Sequence, residues 1–188
     1  MKGVEETWGE AADGTAFSRE ALVVRGARLP EDEEAALRLM DRLYYTWIPR
    51  LTGGAVEMIE GEDGGLRARV VPIGPVGLAL GPPRLSKGLV ERPVLSGWLV
   101  RAASGTLGQE LRAHADGVEI AVRLQGFAPR LFLLPHELYD MTQARVHRRL
   151  SRAYLRHDVA PRLRSLSCSS STRTPTSPRG SSTTTVRT

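Results

Sequence analysis

The stretch GTLGQELRAHADGVEIAVRLQGF, residues 105–127, decides the fold. In its second half the apolar residues Val118, Ile120 and Val122 alternate with charged ones. A two-residue period of this kind indicates a β-strand with one buried and one exposed face. The pair Asp116-Gly117, just before this run, is a hairpin signal. We therefore predict two antiparallel strands that share one apolar face.

The same alternation extends upstream, so the segment from Ala55 to Ala128 reads as an antiparallel meander. Breaks such as Gly81-Pro82-Pro83 divide it into short strands. Residues 86–95 are weakly patterned, and Pro93 predicts an edge strand or a bulge there. The next strand is predicted at residues 98–102, where Trp98 begins another alternating run.

Helices are predicted on both sides of the meander. After a first strand at Phe17–Gly26, a helix is predicted over Glu31–Ile48, because acids precede a run with apolar residues on one helical face. A closing helix is predicted over Leu134–His157, with one apolar and one basic side. The apolar side consists of Tyr139, Thr142, Val146, Leu150 and Ala153, and the basic side of Arg145, Arg148, Arg149, Arg152 and Arg156.

This order of elements predicts an α+β fold, in which a curved antiparallel β-sheet of about six to seven strands wraps on a long C-terminal helix. Residues 1–16 are acidic and weakly patterned, so a flexible segment is expected there. Residues 17–164 are expected to form a single domain. Residues 165–188 are expected to be disordered, because 15 of them are Ser or Thr. Such a tail is typical of a natural flexible extension or of an out-of-frame reading, and resequencing the 3′ end of the gene distinguishes the two.

The net charge of +5 is unevenly distributed. Residues 1–144 contain 16 basic and 20 acidic residues, whereas residues 145–164 contain seven arginines and one aspartate. Nucleic-acid-binding proteins usually spread basic residues over a docking face with interleaved aromatic residues, so nucleic acid is a disfavoured partner. The basic side of the closing helix is either a solvated helix face or a contact with an anionic membrane surface.

Composition also limits the location and the chemistry of the protein. No apolar run approaches the roughly 20 residues of a membrane-spanning helix, and the acidic N-terminal residues lack the apolar block of a secretion signal, so a cytoplasmic location is expected. Cys168 is the only cysteine, which excludes an internal disulfide and a cysteine zinc site. His136 and Asp140 have the spacing of two metal ligands, but no third ligand is apparent, so we expect neither a metal nor another cofactor.

The chain resembles the START-like, pollen-allergen-like helix-grip (SRPBCC) superfamily. The resemblance rests on the order strand, helix, meander and closing helix, and on the segment from Gly105-Thr106-Leu107 to Gln125-Gly126-Phe127 that runs into the last helix. It implies a sheet that curls around that helix and leaves an apolar cavity. Members of the superfamily bind lipids, polyketides, hormones and other hydrophobic molecules, and a minority catalyse cyclisation or hydration.

If the sheet curls in this way, the inward residues line either a ligand cavity or a packed core. Inward Gln109 and Ser96 are polar, so each needs a hydrogen-bond partner, either from a ligand or from a neighbouring protein group. The residues predicted to line the cavity are Leu78, Ser96, Trp98, Val100, Leu107, Gln109, Leu111, Ile120, Val122, Tyr139 and Val146.

The sequence favours binding of a hydrophobic small molecule or lipid over catalysis, because it contains no catalytic motif. No serine lies in a Gly-x-Ser-x-Gly elbow, and Gly105-Thr106-Leu107-Gly108 is not a phosphate loop because no helix follows it. Two alternatives remain. The first is an enzyme on the same scaffold, which needs ionisable residues that point into the cavity. The second is a packed interaction domain without a cavity.

Overall fold

The computed structural model describes residues 3–72, 74–100, 105–128 and 147–169. In these ranges nine strands form one antiparallel sheet with the order β1-β2-β9-β8-β7-β5-β4-β3, and β6 pairs with β7. The sheet is open, because β1 and β3 are its two edges. The strands are β1 (Glu5–Glu10), β2 (Ala16–Arg25), β3 (Val56–Glu60), β4 (Leu66–Val70), β5 (Val76–Leu80), β6 (Arg84–Ser86), β7 (Leu89–Ser96), β8 (Thr106–His114) and β9 (Gly117–Phe127).

Both helices pack on one face of this sheet, which we call the concave face. The helix α1 (Glu33–Leu51) contacts β3, β7 and β8. The C-terminal helix, described over residues 147–169, contacts β2 and β9. Register shifts within the β2–β9, β4–β5 and β5–β7 pairings mark bulges, which bend and twist a sheet. A curved, open antiparallel sheet with a packed C-terminal helix confirms the predicted α+β helix-grip fold, with more strands than predicted.

The β8–β9 hairpin is confirmed where the sequence predicted it. The ladder runs from Thr106 opposite Gln125 to His114 opposite Gly117. The preceding Gly105 has a φ of +89°, and an added Cβ would lie 2.4 Å from the Gln125 carbonyl oxygen. Close backbone packing therefore explains this glycine, as expected for a residue outside a phosphate loop.

The strand predicted at residues 98–102 does not begin at Trp98, and residues 101 and 102 lie outside the described residues. Residues 98 and 99 form a turn, and the strand is β7, which includes Pro93. Proline is tolerated in this interior strand because the neighbouring hydrogen bonds do not need its missing N–H. The Pro93 carbonyl accepts from Gly81 N–H at 2.8 Å, and the next amide, that of Val94, donates to the Gly105 carbonyl at 2.9 Å.

The N-terminal segment differs from the flexible segment expected over residues 1–16. Strand β1 pairs with β2 along its whole length, from Glu5 opposite Ala21 to Glu10 opposite Ala16. Its side chains reach the C-terminal helix: Glu6 pairs with Arg148 at 2.8 Å and with Arg152. Because these partners are far apart in sequence, the local pattern carried no sign of them.

The C-terminal helix continues past His157, where the predicted helix ended, to Ser169. A π-helical turn at Leu155–Val159 precedes Pro161, and the Ala160 N–H donates to the Leu155 carbonyl. A π turn relieves the clash between a proline ring and the preceding helical turn. The helix therefore passes a residue that would ordinarily end it.

The buried face of this helix is rotated relative to the prediction. Leu150 and Ala153 are only half-buried, and the fully buried positions are Ser151, Tyr154 and Leu155. Tyr139, Thr142, Arg145 and Val146 lie outside the described residues, as do His136, Asp140 and residues 170–188. The division into a domain over residues 17–164 and a tail over residues 165–188 stays a prediction, although residues 165–169 continue the helix.

A buried ion pair joins α1 to the sheet. Arg92 on β7 binds Asp41 on α1 through two nitrogens, at 2.7 and 3.0 Å, and both side chains are 5% exposed. The second terminal nitrogen of Arg92 donates to the carbonyl oxygens of Gly64 and Gly81. Its guanidinium lies 5.2 Å from the ring centre of Tyr45. Every face of this buried cation is therefore matched by an acceptor or an aromatic ring.

Candidate functional site

The concave face beneath the C-terminal helix contains most of the residues that were predicted to line a cavity. Cα partners place Glu6, Glu20, Val122, Gln109 and Val90 in one row across five strands. From Glu20 to Val90 the members of this row are at most 1% exposed. Two members of the row are valines, and the other three carry a carboxylate or an amide. Buried polar groups normally have hydrogen-bond partners, so Glu20 and Gln109 need an explanation.

Six of the predicted lining residues are packed in the hydrophobic core rather than around an open space. A surface that is 0–1% exposed does not border a space large enough for water, and Gln109, Leu111, Ile120 and Val122 all fall in that range. Leu107 and Val100 are 7% and 4% exposed. Contact of these residues with a ligand stays a prediction, and such contact would require the core to open.

The remaining predicted lining residues differ from one another. Leu78 and Trp98 are half-buried, Ser96 is exposed, and Tyr139 and Val146 lie outside the described residues. The inward direction expected for Ser96 is wrong because a bulge in the β5–β7 pairing sets it opposite Ala79. Ala79 in turn pairs with exposed Arg67, on the face away from the helices.

A group of polar side chains lies between the concave face and the two helices, and we call it the buried polar cluster. Its members come from β2, α1, β8 and the C-terminal helix. All of them have polar atoms that are buried in the core, although the His147 side chain itself is 20% exposed. They are Glu20, Tyr44, Gln109, His147, Ser151 and Tyr154.

Glu20 is the most unusual member of the cluster. The residue is 0% exposed, and neither carboxylate oxygen forms a hydrogen bond with any described residue. Burial raises the pKa of Glu20, and the negative charge of Glu6 adds to this effect, so that the pKa is about 7. The cations Arg152 and Arg148 act in the opposite direction. Near neutral pH this carboxyl group is therefore poised between its two protonation states.

His147 faces Glu20 from the C-terminal helix. The distance from its Nε2 to the nearer Glu20 oxygen is 3.9 Å, which is too long for a hydrogen bond. Burial lowers the pKa of His147 to about 4, so the imidazole is neutral at physiological pH. Its Nε2 is buried and has no hydrogen-bond partner among the described residues. One helical turn further along, the hydroxyl of Ser151 is buried and forms no hydrogen bond of good geometry with a described residue. Burial raises the pKa of Tyr44, and the Ser151 hydroxyl lies close enough to the Tyr44 hydroxyl to lower it again in part.

Gln109 has a protein partner, which favours the structural explanation of this predicted site residue. The Tyr154 hydroxyl donates to the Met40 carbonyl at 2.7 Å and lies 3.4 Å from Gln109 Oε1. The Tyr154 ring also meets the Tyr44 ring edge to face, with centres 5.1 Å apart. Tyr154 therefore ties the C-terminal helix to both α1 and β8.

We expect Tyr154→Phe to lower the free energy of unfolding by about 1–2 kcal/mol, because it removes the donor to the Met40 carbonyl and the hydroxyl beside the buried oxygen of Gln109. Tyr45→Phe is the matched control, since the buried Tyr45 hydroxyl has no partner among the described residues. That change should alter the stability by less than about 0.5 kcal/mol. Urea unfolding of both variants checks this, and equal losses would contradict the role given to the Tyr154 hydroxyl.

The basic side of the C-terminal helix is divided between internal and external contacts. Arg148 and Arg152 pair with Glu6, and the Arg148 guanidinium lies 5.6 Å from the Trp8 ring centre. Arg149 and Arg156 are exposed. A surface groove of about 480 Å³ runs along this side of the helix. Its lining residues are Arg148, Arg149, Arg152, Ala153, Arg156 and His157.

Sequence reasoning missed Glu20, although a signal for it existed. Glu20 has the same parity as Leu22 and Val24, so a two-residue period puts it on their buried face. The run from Ala21 to Val24 hid that period because it is apolar at every position. The spacing of His147 and Ser151 indicates only that they lie on the same face of a helix. Because both are polar, the sequence favoured an exposed position for them.

The described ranges contain no group of three or more His, Cys, Asp or Glu side chains that could hold a metal ion. Within the same ranges, no helix combines the length and the hydropathy needed to cross a membrane.

No protein-family model matches this sequence, and no curated protein matches it either. Three solved structures are similar in shape. A START superfamily protein from Mycobacterium smegmatis has 12% identity and a TM-score of 0.46, with 80% of this chain and 98% of that chain covered. Ara h 8.0201 has 14% identity and a TM-score of 0.44, with 79% and 97% covered. CalU16 from Micromonospora echinospora has 10% identity and a TM-score of 0.37, with 88% and 91% covered.

The helix-grip assignment does not depend on these similarities, whose TM-scores are all below 0.5. It follows from the strand order of the open sheet and from the packing of the C-terminal helix on β2 and β9.

Proposed function

We propose that this protein binds a hydrophobic small molecule or lipid on the concave face of its sheet, beneath the C-terminal helix. The observation that carries the proposal is the set of buried polar atoms without partners among the described residues. The atoms of this set that lie between β2 and the C-terminal helix are both carboxylate oxygens of Glu20, Nε2 of His147, Nε of Arg152 and the hydroxyl oxygens of Ser18 and Ser151.

Each of these atoms destabilises the folded protein as long as it lacks a hydrogen-bond partner. A buried polar group without a partner costs about 1–3 kcal/mol, and a charged one costs more. Ser18, Glu20, His147 and Ser151 come from two elements, β2 and the C-terminal helix, that pack against each other. A bound molecule with one polar group offers several of these atoms a partner at the same place.

The apolar part of the same face suits the rest of such a molecule. Leu107 pairs with Leu124 in the row next to Gln109, and Leu124 is only half-buried. Half-buried Leu78 and Met58 continue the apolar surface toward β3. A ligand with its polar group at Glu20 and its apolar part along these side chains would remove apolar surface from water.

We expect Leu107→Trp to weaken the binding of a fluorescent fatty-acyl probe by about tenfold or more, because the larger ring occupies the position on the concave face where the apolar part of the probe would lie. Thr106→Trp is the matched control: it adds the same ring one residue earlier, on the opposite face of β8. Fluorescence titration measures both affinities, and circular dichroism verifies that both variants fold. Equal affinities for the two variants would contradict a site on the concave face.

A second candidate function, catalysis, is favoured by one specific observation. The raised pKa of Glu20 to about 7 suits a general acid or base, and neutral His147 stands 3.9 Å away. An enzyme on this scaffold needs ionisable residues on the concave face, and these two residues meet that need. Incubation of the protein with a compound that it binds, followed by mass spectrometry, separates the candidates: a binding protein returns the compound unchanged.

Contact with an anionic membrane surface is part of the proposal, because exposed Arg149 and Arg156 lie beside the basic groove. We expect the protein to sediment with liposomes that contain phosphatidylserine, and this binding should fall steeply as salt is raised. An absence of sedimentation at low salt would remove this part of the proposal. A cytoplasmic location stays a prediction from the sequence.

A further inference from the structure

We infer that the polar group of the bound molecule is a protonated amine that sits on the Glu20 carboxylate, between β2 and the C-terminal helix. This inference rests on the proposed function and deepens it, because it names the chemical class of the ligand. It follows from the kinds of atoms that lack partners, from the charges around them and from the access to the site.

The partnerless atoms around Glu20 are acceptors with one exception, the Nε of Arg152, which can only donate. The carboxylate supplies two acceptor oxygens, and each of the hydroxyls of Ser18 and Ser151 accepts as well as donates. Neutral His147 accepts at Nε2 whenever its other ring nitrogen carries the proton. An ammonium group has three donors and no acceptor, so it satisfies several of these atoms at once.

Charged side chains of both signs surround Glu20, so the carboxylate of Glu20 itself is the group that selects a cation. On β1 the carboxylate of Glu6 repels a second negative charge. On the C-terminal helix His147 is neutral, and the two arginines, Arg148 and Arg152, are both paired with Glu6. The facing groups on β8 and α1, Gln109 and Tyr44, carry no charge at neutral pH. An ammonium would form a direct ion pair with the ionised Glu20 carboxylate, whereas a ligand carboxylate at the same place would lie against the two carboxylates of Glu20 and Glu6.

The site is buried but lies close to the surface. His147, which covers Glu20, has a side chain that is 20% exposed. The neighbouring Arg148 and Arg152 side chains are 25% and 43% exposed. A ligand therefore reaches Glu20 by displacing the outermost layer of helix side chains between β1 and the helix, without unfolding the core.

Binding of an amine is linked to pH through Glu20. Because the pKa of Glu20 is raised to about 7, the free protein carries a proton there below that pH. An ammonium favours the ionised carboxylate, so binding at pH 6 releases this proton, and binding at pH 8.5 does not. Besides Glu20, the charged or titratable groups that face the site are Glu6, Tyr44, His147, Arg148 and Arg152. Burial raises the pKa of Tyr44 and lowers the pKa of His147 to about 4, so neither of these two groups supplies the proton released at pH 6.

The test compares octylamine, 1-octanol and octanoate, which share one chain and differ in the polar group. Isothermal titration calorimetry of the full chain at pH 8.5 should give an affinity for octylamine about tenfold or more above that for octanol, since charge-assisted hydrogen bonds are the stronger ones. Octanoate should bind most weakly. Glu20→Gln should abolish the preference for octylamine over octanol, whereas Glu60→Gln, at an exposed site, should keep the preference of the wild type.

Titration of the wild type with octylamine in two buffers of different ionisation enthalpy measures proton release without any variant. Release of close to one proton at pH 6 and of none at pH 8.5 supports the inference. Equal affinities for the three compounds, or no proton release at pH 6, would overturn the amine and leave the hydrophobic site intact. Failure of all three compounds to bind would overturn the proposed function together with the inference.

Discussion

Asp41→Asn is expected to lower the free energy of unfolding by about 3–5 kcal/mol, the largest effect that we expect from any single substitution. The change removes the negative charge that compensates Arg92, and Arg92 is only 5% exposed. Two carbonyl oxygens, those of Gly64 and Gly81, would remain as partners of the guanidinium. They cannot neutralise it, so a buried charge is left without a counter-ion. The double variant Asp41→Leu with Arg92→Met removes both charges and should recover most of this loss.

Urea unfolding at neutral pH measures these effects. Glu34→Gln is the control on the same helix, because it breaks the exposed pair that Glu34 forms with Arg38 at 2.7 Å. An exposed pair of this kind contributes less than about 1 kcal/mol. A loss for Asp41→Asn as small as that of the control would show that the Arg92–Asp41 pair does not hold α1 to the sheet.

Glu20→Gln is expected to stabilise the protein at pH 8 by about 3 kcal/mol. The pKa of Glu20 is raised to about 7 in the folded protein, from an ordinary value of 4.5. Each pKa unit corresponds to about 1.4 kcal/mol, which gives this figure. Glutamine has nearly the same shape and is never charged, so the cost of burying a charged carboxylate disappears.

The direction of the pH dependence follows from linkage. Between pH 4.5 and about 7 the folded protein keeps a proton on Glu20 that the unfolded chain has released. The folded state therefore binds more protons there, and its stability falls as the pH rises through this window. His147 acts on the other side, because its pKa is lowered to about 4 and stability is lost as the pH falls from 6.5 toward that value.

Urea unfolding of the wild type and Glu20→Gln at pH 4.5, 6 and 8 checks this prediction. The two curves of stability against pH should nearly coincide at pH 4.5 and separate progressively above it. Glu60→Gln, at an exposed position, should follow the wild type throughout. Parallel curves for Glu20→Gln and the wild type would mean that Glu20 is solvated.

The sheet was predictable from the sequence where each strand has one solvent-exposed and one buried face. In β9, Val118, Ile120 and Val122 are fully buried, as their alternation indicated, and Asp116-Gly117 marked the hairpin. Strand β7 was not predicted as an interior strand because its residues on the concave face include a charged one, the buried Arg92. Arg92 can point into the core because it pairs with Asp41 on α1. A contact between residues so far apart in sequence leaves no trace in the local pattern.

The edge strand β1 and the buried face of the C-terminal helix were not predictable for a related reason. Strand β1 is stabilised by pairing with β2 and by the contacts of Glu6 with Arg148 and Arg152. In the C-terminal helix, the π turn at Leu155–Val159 changes the angle between the residues on its two sides. A periodicity of 100° per residue, which holds for an unbroken α-helix, therefore does not give the buried face of this helix.

The position of the concave face was predictable from the sequence, but the polar side chains buried on it were not. The concave face beneath the closing helix follows from element order, and Gln109 and Ile120 do lie there. The polar atoms that define the site belong to Glu20, His147 and Ser151, which sequence rules assign to the surface. Residues that break such rules are expected at functional sites, because function rather than stability retains them.

Carbon-13 NMR of the Glu20 side-chain carboxyl tests the central claim most directly, namely that this acid is buried without a protein partner until a ligand arrives. Protein labelled at glutamate carboxyl carbons gives the titration curve, and the signal that vanishes in Glu20→Gln identifies the residue. We expect a midpoint close to pH 7 in the free protein and a lower midpoint when octylamine is present. A midpoint near 4.5 in the free protein, the ordinary value for an exposed glutamate, would contradict the claim.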